Sequence, residues 1–337
     1  MKGNITAKEI AKICGVSQAT VSYVLNNRND KRISQETKER VRKVIAEYHY
    51  VPNEAARSMR NKKCTAIGIV CAWDYSRQSF LDTIEGIGRY LDKMNYTLTL
   101  FYEKKEDASP SYINSYKSNL IDGLIYISNK EHEKFVEPAE KYDIPYVVVC
   151  MDGVFSKKSP KPHAFDDVLE ECVLFCRQKQ LRTIRYFSVD NEGVFVNNKY
   201  PQFEEMAARI YPECDLEHVV IPVKYRCPEN IYPGLKAYMD THEFDIAISH
   251  NYDIGYLIQR EILKSGVVLP QHPKNIFINN VDFYAITYPS VTGITIPYHE
   301  MGRYAAKLIL AILAGKEEEF TYQEFTCRLI HRQSTIC

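Results

Sequence analysis

The stretch "CGVSQATVSYVLNN", Cys14 to Asn27, presents Gln18, Ser22 and Tyr23, whose hydrogen-bonding groups a protein core has little use for. At the start of a short helix such groups can reach base edges in the major groove of DNA, and the helix N-terminus favours a nearby phosphate. The chemistry on offer is recognition. For bond making the chain has no HExxH, no GxSxG, no Walker loop and no GxGxxG after a strand. Its His and carboxylate residues lack spaced partners, so no enzyme is expected and no cofactor is implied. Ten cysteines are scattered without a CxxC pair, the pattern of free thiols in a reducing compartment. Cys172 and Cys176 lie one helical turn apart, and helix packing is expected of them in preference to a zinc or redox role.

The elements that must hold this face are legible locally. Thr6-Ala-Lys-Glu9 has the spacing of a capping box, predicting a helix from about Ala7 to Cys14 with Ile10, Ile13 and then Val16 as its apolar side. Gly15 supplies a turn without a Cβ penalty, and Ser17 can cap the next helix. There Val21, Val24 and Leu25 must pack inward, which leaves Gln18, Ala19, Ser22 and Tyr23 outward. After the polar loop "NNRNDKR", Ser34 caps a third helix to about Tyr48, with Val41, Val44 and Ile45 inside. Three helices with a tight first turn describe a helix-turn-helix unit.

A three-helix protein-interaction module is the alternative, and charge argues against it. Residues 1–63 hold 14 Lys and Arg against six acids, a net +8 in a chain whose formal charge is zero. A basic head on an acidic body suits a polyanion partner. In the following "VPNEAARSMRNKK", Pro52 disfavours helix at Val51, Asn53 can cap, and "EAARSM" is a helix former of barely two turns. So short a helix needs a partner to hold it. Ala55, Ala56 and Met59 form its apolar side, with Arg57 and Arg60 alongside, the alternative being a linker with one helical turn.

At 337 residues and 45% hydrophobic content, the chain is expected to hold two or three folding units. No stretch approaches the ~20 apolar residues of a membrane span, and the N-terminus lacks a signal-peptide block, so a cytoplasmic protein is expected. From Thr65 apolar strands alternate with amphipathic helices. The first series is "AIGIVCA", helix "FLDTIEGIGRYLDKM", "YTLTLFY", "IDGLIYIS" and "PYVVVCM". The second is helix "VLEECVLFCRQK", "IRYFSV", helix "QFEEMAARIY", "HVVIPV", helix "AYMDTH", "DIAISH", helix "IGYLIQREILKSG" and "NIFINN". The alternation predicts doubly wound parallel sheets covered by helices, with ligands at the carboxyl ends of strands.

The order of "TAKEIAKICGVSQATVSYVLNN", "ISQETKERVRKVIAEYHYVPNEAARSMR" and "TAIGIV" resembles the LacI/GalR (lactose repressor and galactose repressor) family of bacterial transcription regulators. The resemblance continues through "IDGLIYIS", "IPYVVVCMDG", "PSVTGITIPYHEMGRYAAKLIL" and "RLIHRQST", and so covers almost the whole chain. It implies an N-terminal all-α helix-turn-helix head at 1–50, a hinge helix and linker at 51–63, and a two-lobe effector-binding and dimerisation body at 64–337. The lobes would resemble those of periplasmic sugar-binding proteins, with crossings near Phe165, Ile296 and Glu324. Lobe 1 would hold about 65–164 and 297–323, and lobe 2 about 165–296 with the C-terminal strand in 324–337.

The same resemblance implies the contacts. DNA would be met by Thr6, Ser17, Gln18, Ala19, Thr20, Ser22, Tyr23, Asn26 and Arg32 in the head, and by Asn53, Ala56, Arg57, Met59 and Arg60 in the hinge. Met59 stands at the family's leucine wedge, still an apolar side chain able to open a base step. Tyr23 stands where many members carry arginine, so the bidentate guanine contact is lost and the preferred operator is expected to differ there.

For the effector, Phe80 matches an aromatic position of the family pocket, and Trp73, the single tryptophan, follows the first strand. A cleft closing on a sugar needs such aromatic faces and fixed polar groups. Asp152 in "CMDG" lies where relatives hold ligand, though Asp before Gly is also ordinary turn chemistry. Lys199, three residues before Gln202-Phe203, replaces the family arginine and loses its planar fork. Ser249-His250 replaces the usual Asn-Asp, and Asn279 replaces an Asp. These departures point away from the family's ordinary sugar chemistry. The expected protein is a homodimeric repressor on a pseudo-palindromic DNA operator, modulated by a sugar or sugar derivative in the interlobe cleft. A regulator controlled by a partner protein is the alternative, and a sugar-binding transport protein is a more distant one, disfavoured by the basic head.

Overall fold

Thr6 opens the first helix as the sequence predicts: its side chain accepts from the Glu9 amide and Glu9 reaches back to the Thr6 backbone, a complete capping box. The computed structural model describes residues 5–25, 33–48, 50, 65–71, 78–102, 110–128, 132–159, 162, 164–191, 199–223, 228–250, 252–264, 266, 273–278 and 283–336. Two compact units divide the chain, Met1–Lys63 and Cys64–Cys337.

In the first unit, α1 (Ala7–Cys14), α2 (Gln18–Leu25) and α3 (Gln35–Glu47) enclose Ile10, Ala11, Cys14, Val21, Val24, Val41 and Val44. Gly15 ends α1 in the left-handed region at φ 64, and the Val16 amide donates to the Ala11 carbonyl at 3.0 Å. That is the reversal a glycine makes without steric cost. Ile13 departs from expectation, being half exposed; Ala11 and Cys14 complete the inner stripe instead. The i, i+1, i+4 positions of α1 face its neighbours, and Ile13 falls on the flank.

The second unit begins with β1 (Ala66–Cys71), α4 (Gln78–Lys93), β2 (Thr97–Tyr102), α5 (Ser111–Lys117), β3 (Gly123–Ile127), α6 (His132–Lys141), β4 (Tyr146–Cys150) and β5 (Gly153–Ser156). These strands form one sheet in the order β2-β1-β3-β4-β5. The chain then enters the second lobe through α7 (Asp166–Gln178), followed by β6 (Thr183–Asn191), α8 (Tyr200–Ile210), β7 (Asp215–Val223), α9 (Pro228–Met239), β8 (Ile246–Ser249), α10 (Tyr252–Lys264), β9 (Lys274–Phe277), α11 (Phe283–Ile286) and β10 (Thr292–Thr295). Helix α12 (Tyr298–Leu313) returns to pack on α4, and β11 (Arg328–Ile330) with α13 (Gln333–Ile336) comes back to the second lobe. The second sheet has the order β11-β10-β9-β8-β6-β7.

Two antiparallel edge strands add to the expected parallel sheets. Strand β5 runs antiparallel to β4, and β11 antiparallel to β10. The first follows from the two-residue connection Met151-Asp152, too short for a parallel crossover. The second follows from the direction in which the chain re-enters after α12. The helix expected at "AYMDTH" also lies earlier, ending at Met239. Its position is set by Ile231 and Leu235, which bury with Ile221 beneath the sheet despite Pro233 within the helix. Cys172 and Cys176 are buried in the body core, where burial holds both thiols well above the usual cysteine range.

Candidate functional site

Helix α2 places its polar start at the surface. Ser17 accepts from the Thr20 amide at 3.1 Å, fixing the first turn, while Val21 and Val24 anchor the inner side. Gln18, Ala19, Ser22 and Tyr23 are exposed and Thr20 is half buried. Thr6 is exposed at the capping box, whose hydrogen bonds hold the Glu9 carboxyl below its ordinary range. The side chains expected to point outward, Gln18, Ala19, Ser22 and Tyr23, are thus at the surface. Asn26, Arg32, Asn53, Ala56, Arg57, Met59 and Arg60 lie outside the described residues, as do Trp73 and Asn279 in the body.

In the body, strand order locates the second site. The first sheet reverses direction of winding between β1 and β3, and the second between β6 and β8. Crevices open at the carboxyl ends of such pairs. At the first, Phe80 of α4 is buried in the core that runs under the sheet. At the second stand Lys199, which follows β6 and precedes α8, and Ser249 with His250 at the end of β8. Asp152 occupies the tip of the β4–β5 hairpin, its backbone carbonyl accepting from the Ala164 amide at 3.2 Å.

The Lys199 ammonium donates to both Asp152 carboxylate oxygens, at 2.7 and 2.8 Å, joining the two lobes. Its Nζ stands 5.5 Å from the centre of the Phe165 ring. Around the pair, burial pushes the Cys150 and Cys327 thiols up to about 12, and in both the Asp152 charge adds to the effect. Tyr298, at the start of α12, is buried with a hydroxyl that has no partner among the described residues.

Sequence reasoning missed the residue that links these groups. The Tyr186 hydroxyl lies 3.3 Å from His250 Nδ1 and also receives a hydrogen bond from the Lys199 backbone. The Tyr186 ring packs edge-on to Tyr200 and tilted on Phe203. Tyr200 in turn stacks on His218 at 4.1 Å, and His218 Nε2 lies 2.8 Å from Ser188 Oγ. A tyrosine within a buried strand such as "IRYFSV" is itself a signal, since its polar tip requires a partner. Ser249 Oγ is buried without a hydrogen-bond partner among the described residues. The arrangement gathers charged, hydroxyl and imidazole groups, all largely buried, where β6 and β8 end.

Residues 6–53 match the family described as bacterial regulatory proteins, lacI family, and residues 178–335 match the periplasmic binding protein-like domain. The head thus matches the lacI family and the body the periplasmic binding protein-like domain. With that head, the chain is a DNA-binding transcriptional regulator. It is 25% identical to the HTH-type transcriptional regulator pepR1 of Lactobacillus delbrueckii subsp. lactis, over 99% of each chain. It is 23% identical to the HTH-type transcriptional repressor PurR of Vibrio parahaemolyticus, over 98% of each. Its fold resembles that of the Lac repressor dimer bound to operator and the anti-inducer ONPF, with TM-score 0.81, 16% identity and 99% of each chain covered. The regulator CelR in its cellobiose complex matches with TM-score 0.63 and 17% identity, covering 98% of this chain and 99% of that one. Among the described residues, no helix is long and apolar enough to cross a membrane.

Proposed function

We propose that this regulator is a cytoplasmic repressor that binds a pseudo-palindromic DNA operator as a homodimer. The observation that carries this is the exposed start of α2, where Gln18, Ala19, Ser22 and Tyr23 project from a head of net charge +8. Ser17, Thr20, Thr6, Asn26 and Arg32 would complete the head contacts. Asn53, Ala56, Arg57, Met59 and Arg60 would form the hinge, with Met59 as the wedge between base steps. The likeness to an operator-bound Lac repressor dimer supports this. For pairing of two chains the support is an apolar surface on the second lobe, where Tyr256, Phe283, Ile286 and Tyr288 are all exposed. The Tyr256 and Phe283 rings lie 6.1 Å apart, and exposed apolar surface of this kind marks a contact region.

The crevice between the lobes is proposed to hold a small effector, a sugar or sugar derivative, touching Trp73, Phe80, Asp152, Lys199, Ser249, His250 and Asn279. A cellobiose complex of a protein with the same fold supports that class. Effector binding would change the angle between lobes and thereby the operator affinity. A second reading, control by a partner protein, draws support from Asp152 and Lys199 satisfying each other.

Selection of bound DNA from a random pool tests the DNA reading. An enriched palindromic sequence is expected, and its affinity should vanish when residues 1–63 are deleted; unchanged affinity after deletion would overturn the assignment. Met59→Gly should reduce operator bending while leaving the body folded, and undiminished bending would sink the wedge.

A further inference from the structure

Lys199 and Asp152 are 47 positions apart in sequence, come from different lobes and differ in exposure. The Lys199 side chain is 3% exposed and that of Asp152 17%. A buried ammonium stripped of its anion is strongly disfavoured, whereas a carboxylate at the rim of a crevice can turn to water. Lys199 therefore requires an anion at this point, and Asp152 is the anion that can leave. A second group belongs to the same region: the Tyr298 hydroxyl is buried and lacks a partner among the described residues, and the Asp152 charge is one of several that act on it. The Phe165 ring, centred 5.5 Å from the ammonium, gives it an apolar neighbour.

On the reading of this crevice as the effector site, we propose that Lys199 anchors a carboxylate or phosphate group of the effector. Asp152 fills that place as an exchangeable internal counter-ion, and Tyr298 donates a hydrogen bond to the incoming anion. A neutral polyol brings only uncharged acceptors, which do not match a two-oxygen, charge-assisted contact. Exchange also uncouples the lobes, because the ion pair that joins them becomes a contact between one lobe and the ligand. Anion binding and lobe angle are thus the same event.

The test is titration of the full-length chain with inorganic phosphate, at an ionic strength held constant with chloride, followed by the thermal midpoint. Asp152→Asn removes the competing charge and should bind phosphate about tenfold more tightly than the unaltered chain. Lys199→Met, similar in length and uncharged, should abolish the response, and Tyr298→Phe should weaken it several-fold. Asp152→Asn binding no tighter than the unaltered chain, or Lys199→Met keeping the response, would overturn the anchor. If Lys199→Met does not fold, Asp152→Asn and Tyr298→Phe decide the matter, equal affinities in both and in the unaltered chain overturning it. Glucose bound in the crevice with an affinity indifferent to Lys199→Met would overturn the anion anchor and leave the effector reading standing. Failure of the unaltered chain to bind any selected DNA would strike the repressor reading alone.

Discussion

Gly86 of α4 lies so close to the His299 carbonyl of α12 that a Cβ at Gly86 would overlap it, and Gly302 stands in the same relation to the Thr83 carbonyl. The two helices cross through this pair of glycines. One of them carries Phe80 near its start and the other carries Tyr298, so the crossing fixes these two side chains relative to each other. Gly86→Ala should destabilise the body by about 2 kcal/mol, the usual scale of overpacking against rigid backbone. Chemical denaturation of the full chain, monitored by circular dichroism, measures this. A loss under about 0.5 kcal/mol would mean the helices separate without cost.

Tyr23 offers a test of base reading. Tyr23→Arg should shift preference toward guanine at one symmetric pair of operator positions, by roughly 10- to 100-fold. Binding to operators altered one base pair at a time gives the answer. A uniform change in affinity at every position would place Tyr23 on the phosphate backbone instead.

The capping box makes a separate prediction for the head. Thr6→Ala removes the acceptor for the Glu9 amide and should cost α1 about 1 kcal/mol. Hydrogen exchange of the α1 amides in the intact chain should quicken, while exchange in the body stays as it was. Unchanged α1 protection would show that packing of Ile10 and Ala11 holds the helix without its cap.

His218 makes the body sensitive to acid. Burial lowers its pKa below the ordinary 6.5, partly opposed by Glu204, so the fold favours the neutral ring. A lowered histidine means that the unfolded chain binds more protons between the two values. Its stabilising contribution is complete above about 6.5 and is lost as pH falls through the folded value. His218→Gln retains a hydrogen-bonding group for Ser188 without titrating. Its melting temperature should therefore fall less between about pH 7 and pH 5 than that of the unaltered chain. Parallel pH profiles would remove His218 from the account.

The helical head was legible because its signals are local. Capping spacing at Thr6 and Glu9, the left-handed Gly15 and the Val21 and Val24 stripe each act over a few residues. Ile13 shows the limit, since hydrophobicity alone did not tell which flank of α1 its neighbours would cover. In the body, the alternation of strands and helices predicted two wound sheets. The antiparallel edges β5 and β11 depended instead on connection length and on the direction of re-entry.

What the amino-acid sequence by itself determined is the capped three-helix head and the succession of body elements, set by local propensity and periodicity. Only the tertiary structure decided that Asp152 and Lys199, named separately as ligand contacts, hold each other, and that Tyr186 joins Lys199 to His250. Parallel strands are connected by long crossovers, so groups far apart in sequence meet at the carboxyl edges of the sheets. Which of them meet is set by strand order and side-chain burial, quantities that no short stretch of residues contains.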